Sequence, residues 1–145
     1  MFLGYYEHAI DEKGRTTIPA RFRELLNDGA YITRGFDQNL IVYTAEAFDR
    51  ISLHVNKLSI TDPLARDLRR LIFSHAERVE FDRAGRILIP QVLRESAQLK
   101  DTAVIAGAGA SFEIWAPQLW EVKEKQAQNP ELIANHFAAL DLTIE

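Results

Sequence analysis

Residues 11–24 read DEKGRTTIPARFRE, and residues 82–95 read DRAGRILIPQVLRE. At an offset of 71, seven of the fourteen positions are identical: Asp11/Asp82, Gly14/Gly85, Arg15/Arg86, Ile18/Ile89, Pro19/Pro90, Arg23/Arg94 and Glu24/Glu95. Ordinary residue frequencies would supply about one match. The chain therefore holds two copies of one unit. The likeness continues at an offset of 72, where Gly35 meets Gly107, Tyr43 meets Trp115 and Phe48 meets Trp120. One residue has slipped between the two stretches, as a loop permits.

Both copies follow the same local logic. A strand, at 5–10 and again at 77–81, enters an Asp-x-x-Gly turn. Gly14 and Gly85 stand where a tight reversal calls for positive φ. Asp11 and Asp82 suit the start of the turn, because a short carboxylate accepts bonds from the backbone N–H groups ahead of it. Short strands follow at 15–18 and 86–89. Pro19 and Pro90 end them and suit the first turn of helices at 20–27 and 91–97. Hairpins are expected from 31–34 with 40–43, and from 103–106 with 112–115. A closing helix carries Phe48 and Ile51 in one copy, and Leu119, Trp120 and Val122 in the other.

The first unit spans 5–52 and the second 77–124. A helical linker at 53–76 has Asp62 as N-cap, Pro63 at the first helical position and a stripe of Leu64, Leu68, Leu71 and Ile72. Residues 125–145 form a C-terminal helix or tail, with a short helix through Leu132, Ile133 and Phe137. Units this small are marginal alone. They are expected to pack as an intramolecular pseudo-dimer, a shared β-core with helices around it, of α+β class.

The composition, 47% hydrophobic and 26% charged, is that of a globular chain rather than a disordered one. The apolar runs are too short to cross a bilayer, so no membrane partner is expected. The opening Met-Phe-Leu-Gly-Tyr-Tyr-Glu-His shows no basic stretch leading into a long apolar core, hence no secretory signal. There is no cysteine, which removes disulfides and thiolate metal sites. The net charge of −4 argues mildly against nucleic acid. The charge is uneven, however. Residues 1–71 balance to zero, and residues 72–145 carry the whole −4. Lys13, Arg15, Arg21 and Arg23 place four cations within eleven residues of the first half.

The doubled Asp-x-x-Gly-Arg-x-x-Ile-Pro, set between strand, helix and hairpin, resembles the AbrB/SpoVT swapped-hairpin domain. Two such domains in one chain of this length resemble the MraZ family. The likeness spans nearly the whole sequence, from Met1-Phe2-Leu3-Gly4 through the Asp11–Arg15 turn to Ser74-His75-Ala76-Glu77 leading into the second turn. The resemblance implies tandem swapped-hairpin β-barrel units, interlocked within the chain, and a ring-shaped homo-oligomer. It also implies a bacterial, cytoplasmic and nucleoid-associated transcriptional regulator of the division and cell-wall gene cluster. Such a regulator would bind double-stranded DNA at short direct promoter repeats. The family's Asp-x-x-x-Arg motif maps onto Asp11 with Arg15 and Asp82 with Arg86.

On this reading Lys13, Arg15, Thr16, Thr17, Arg21 and Arg23 form the DNA-binding patch, with Arg86 from the second copy. Arginine bonds bidentately to guanine or grips phosphate, and threonine hydroxyls add contacts to phosphate or a base edge. Asp11, Gly14, Asp82 and Gly85 orient the turns. The second copy replaces Glu12-Lys13 by Arg83-Ala84 and Thr16-Thr17 by Ile87-Leu88, so the first copy is the favoured contact. Read by itself, Asp11–Arg15 is equally a turn-stabilising ion pair, worth about 0–1 kcal/mol at a surface.

No catalytic function is expected. Gly107-x-Gly109 lacks the third glycine of a dinucleotide fingerprint, and no Walker or G-x-S-x-G motif occurs. The four histidines are scattered, so neither metal nor cofactor is expected. The rival from another class is a structural or protein-interaction homo-oligomer without specific DNA binding.

Overall fold

The computed structural model describes residues 1–142. Its first copy consists of β1 (Tyr5–Ala9), β2 (Arg15–Thr17), α1 (Ala20–Glu24), β3 (Ala30–Arg34), β4 (Leu40–Thr44) and α2 (Ala45–Asn56). A connecting helix, α3 (Pro63–Phe73), follows. The second copy repeats the order as β5 (Glu77–Arg78), β6 (Arg86–Leu88), α4 (Gln91–Ser96), β7 (Thr102–Gly107), β8 (Ser111–Trp115) and α5 (Pro117–Ala127). Pro19 and Pro90 stand at the caps of α1 and α4, where a missing N–H costs nothing. Thr44 caps α2 by accepting from Ala47 N at 3.1 Å, and Asp62 caps α3 by accepting from Leu64 N at 2.9 Å.

The two copies are interleaved. Six strands form one antiparallel sheet in the order β1-β7-β8-β4-β3-β5, and β2 pairs with β6 in a separate ribbon. The first strand of each copy thus lies against the hairpin of the other. The pairing registers define a pseudo-two-fold axis. Thr16 faces Ile87 in the ribbon, and Ile41 faces Glu113 at the centre of the sheet. In both pairs a residue meets its own counterpart in the repeat.

The axis runs through the core. Ile18, Ile89, Leu93, Leu40, Phe112, Ile105 and Ile114 are fully buried and belong to one apolar cluster with Phe22, Ile32 and Ile87. Each such side chain stabilises the fold by about 1.5–3 kcal/mol relative to exposure. Phe22 packs at 5.1 Å from Phe112 and 5.2 Å from Phe2, so the N-terminal segment closes one side of the core. A smaller cluster of Phe48, Val55 and Ile72 seats α2 and α3 on the outer side of β3. Arg34 fastens α3 there, donating from Nε to Leu71 O at 3.1 Å and from Nη2 to Arg70 O at 2.8 Å. The hydroxyl of Thr33 donates to Ile72 O.

The α+β class and antiparallel sheet agree with expectation, but the barrel does not. Among the described residues the sheet is open, with β1 and β5 at opposite ends. In backbone pairing only the single bridges Ile10–Thr16 and Phe81–Ile87 join the ribbon to its edges. The strand expected at 77–81 is laddered only at Glu77 and Arg78, because the chain turns away from β3 toward the ribbon. The helix beginning at Ala45 continues to Asn56, past residue 52. After α5 the chain makes two short helical turns, Leu132–His136 and Phe137–Leu140. Residues 143–145 of the expected tail lie outside the described residues.

Candidate nucleic-acid interface

Both Asp-x-x-Gly-Arg turns are built by the same hydrogen bonds. Asp11 Oδ1 accepts from Lys13 N at 3.0 Å and from Arg15 N at 2.8 Å, while Oδ2 accepts from Arg15 Nε at 2.7 Å. Asp82 Oδ1 accepts from Ala84 N and Arg86 N, both at 2.9 Å, and Oδ2 from Arg86 Nε at 2.8 Å. The bond from the Arg15 amide is the main cause holding the Asp11 carboxyl below its ordinary value, and the Arg86 amide does the same for Asp82. Backbone pairs Asp11 N–Arg15 O and Asp82 N–Arg86 O close the turns.

The turns also lock the copies together. Ile18 N donates to Gly85 O at 3.1 Å, and Ile89 N donates to Gly14 O at 2.9 Å. Gly14 has φ +88°, and a Cβ added to it would lie 2.6 Å from Arg94 Cζ. Gly85 has φ +74° and is covered in the same way by Arg23. The positive φ favours glycine at both positions, and a Cβ at either would also have to displace the guanidinium of the opposite copy. Each arginine is anchored at home: Arg23 Nη1 donates to Ile18 O at 2.7 Å, and Arg94 Nε donates to Ile89 O at 2.9 Å.

These facts sort the expected site residues. Arg15 and Thr17 on β2 share the ribbon's outer face with Arg86 and Leu88 on β6, in the register Arg15–Leu88 and Thr17–Arg86. Lys13 is exposed at the turn tip, Arg21 is exposed on α1, and Arg83 is exposed at the second tip. None of these three cations has an ion pair among the described residues. Thr16 does not join them. It is 1% exposed and its hydroxyl donates to Ala9 O at 3.0 Å, because strand alternation turns it toward the core. Arg23 is likewise committed to Ile18 O and Gly85, so both residues leave the expected patch. The sequence reading missed Arg83 and the exposed Leu88. Strand alternation from Arg86 would have flagged Leu88, and the turn position of Arg83 would have flagged that cation.

The two halves of the site are not equivalent. Arg86 Nη1 also reaches Asp11 Oδ2, at 3.5 Å across the axis. Among the described residues the Arg15 side chain makes no hydrogen bond or ion pair with the second copy in return, and neither of its Nη nitrogens has a hydrogen-bond partner. Held through Nε, the Arg15 guanidinium keeps a free two-nitrogen edge, the edge that binds guanine or phosphate.

No helix among the described residues is long and apolar enough to cross a membrane. A family model described as "MraZ protein, putative antitoxin-like" matches twice, at residues 1–71 and 72–142. A transcriptional regulator MraZ from Roseiflexus sp. (strain RS-1) is 49% identical over 141 residues, 97% of this chain and 99% of that protein. The transcriptional regulator MraZ from Herpetosiphon aurantiacus is 43% identical over 143 residues, 98% of this chain and 100% of its own length. The Oenococcus oeni protein of the same name is 39% identical over the same span. These relatives are named as regulators, not as enzymes. With its family model doubled along the same repeat that organises the fold, the chain belongs to the MraZ family.

Proposed function

We propose that the protein is a sequence-specific DNA-binding transcriptional regulator that acts without catalysis. Its duplex target is a set of short direct repeats upstream of the bacterial division and cell-wall gene cluster. The observation that carries this reading is the ribbon's outer face, where Arg15 and Arg86 stand on paired strands, each gripped through Nε by a turn aspartate. A two-stranded ribbon fits the major groove, and pre-oriented arginines are suited to guanine. Lys13 and Arg83 at the turn tips and Arg21 on α1 are exposed and supply phosphate contacts. Lys13 and Arg21 belong to the half of the chain whose charge balances to zero, so the acidic total does not fall on them. Thr17 adds a hydroxyl.

The swapped-hairpin ancestry fits the exchange of first strands between copies. The protein works as a ring-shaped homo-oligomer in the cytoplasm, on the nucleoid. Exposed apolar side chains favour subunit contacts: Phe36 is 63% and Leu64 75% exposed around a groove that also holds Leu58, Leu68 and Leu71. The same groove favours the rival reading, a protein-interaction oligomer without specific DNA binding.

Fluorescence-anisotropy titration of labelled upstream duplex separates the two. DNA recognition predicts that log affinity falls linearly with log salt. It also predicts that R15A weakens binding by at least about 1 kcal/mol while the oligomer stays intact. Salt-independent binding, or an R15A protein with full affinity, rejects this reading.

A further inference from the structure

The ribbon has a broken symmetry. The pseudo-two-fold axis exchanges Arg15 with Arg86 and Thr17 with Leu88, because each pair is offset by 71. The arginines are chemically the same. Their companions are not: Thr17 carries a hydroxyl, and Leu88 is purely apolar. Leu88 is also 57% exposed, on a three-residue strand with only two outward side chains. Its neighbour on that strand, Ile87, is buried. An apolar side chain flanked by guanidinium groups cannot contact phosphate, and a leucine left in water forgoes the gain of burial.

We propose that Leu88 is a specificity-determining residue that packs on a thymine C5-methyl group, and that the Thr17/Leu88 mismatch gives the DNA box its direction. This rests on the reading of the ribbon as the DNA-contact surface. Among base edges in the major groove only thymine presents a methyl group, and apolar side chains are its natural partners. Arg15 and Leu88 are register partners, so their Cα atoms are separated by roughly 4.5–5.5 Å. Base pairs rise by about 3.4 Å. The thymine read by Leu88 therefore lies one or two steps from the guanine read by Arg15. On the other side of the axis, Thr17 stands opposite Arg86 and offers a hydroxyl to a polar edge. A ribbon with two identical halves would accept a box in either orientation. This ribbon distinguishes the two.

The test uses the full-length protein and a duplex enriched from a random pool by that protein at fixed salt. Each thymine of the duplex is replaced in turn by uracil, which removes only the methyl group. The wild type should lose about fourfold in affinity at one position, the worth of one buried carbon. L88A should bind the unsubstituted duplex about as weakly as the wild type binds that uracil duplex, and should be indifferent to the uracil. The exchange variant, T17L with L88T, should move the sensitive thymine to the position related by the axis. An L88A protein with undiminished uracil sensitivity overturns the inference, as does an exchange variant whose sensitive position stays put. Either result leaves DNA recognition standing if R15A still lowers affinity for the enriched duplex. Failure to enrich any duplex overturns both.

Discussion

The Asp11 carboxylate reaches 3.5 Å across the pseudo-two-fold axis to Arg86 Nη1, while Asp82 makes no matching contact with Arg15. Asp11 therefore steadies both arginines, and Asp82 only one. D11N should weaken DNA binding more than D82N, since it loosens the guanidinium groups of both strands. Anisotropy titrations of the two variants at one salt concentration give the order. Equal losses would mean that the cross-axis contact contributes nothing to positioning.

Acid stability follows from the same carboxylates. Both are held below the ordinary aspartate value of 3.8, foremost by the backbone N–H groups of Arg15 and Arg86. A group whose folded value is depressed stabilises fully above its unfolded value, and the contribution fades as pH falls through the folded value. The wild type should lose this stabilisation below about pH 4. The double variant D11N/D82N should be less stable at pH 7 and show a shallower fall in that acid window. Thermal melts by circular dichroism from pH 7 to pH 2.5 measure both slopes. Parallel curves for variant and wild type would remove the turns from the acid response.

How much of this was readable beforehand depends on range. Asp11, Gly14 and Pro19 act through neighbours within a few residues, so their roles follow from local chemistry. The repeat itself foretold the axis, because two copies of one unit pack most simply by symmetry. What escaped was long-range. Arg23 and Arg94 are identical in the two copies, yet only the interleaved fold brings each onto the other copy's glycine. The open sheet also escaped, since closure depends on where β5 leaves β3, and a two-residue strand has too little pattern to read. Thr16 lies inward for a simpler reason: alternation along β2 turns it to the opposite face from Arg15 and Thr17.

That alternation gives a paired prediction. T16V removes a buried hydroxyl that donates to Ala9 O and should cost about 1 kcal/mol in stability, with DNA affinity unchanged. T17V, on the outer face, should leave stability within about 0.5 kcal/mol and alter DNA affinity instead. Urea unfolding and anisotropy on both proteins separate the effects. Loss of DNA affinity in a stably folded T16V protein would restore Thr16 to the contact surface.

The glycine beneath Arg94 offers the most direct test of how the copies are locked. Gly109 also has positive φ, at +83°, but an added Cβ there meets nothing within 4 Å. G109A should therefore cost only the backbone term, about 1–2 kcal/mol. G14A carries that term and must also displace Arg94, whose guanidinium occupies the space. It should cost more than G109A, and R94A should relieve part of the excess by clearing the site. In a double-mutant cycle the G14A/R94A pair should then be less destabilised than the sum of its single variants. Strict additivity would mean that Arg94 yields freely, and that the turn is held by its own hydrogen bonds rather than by the opposite copy.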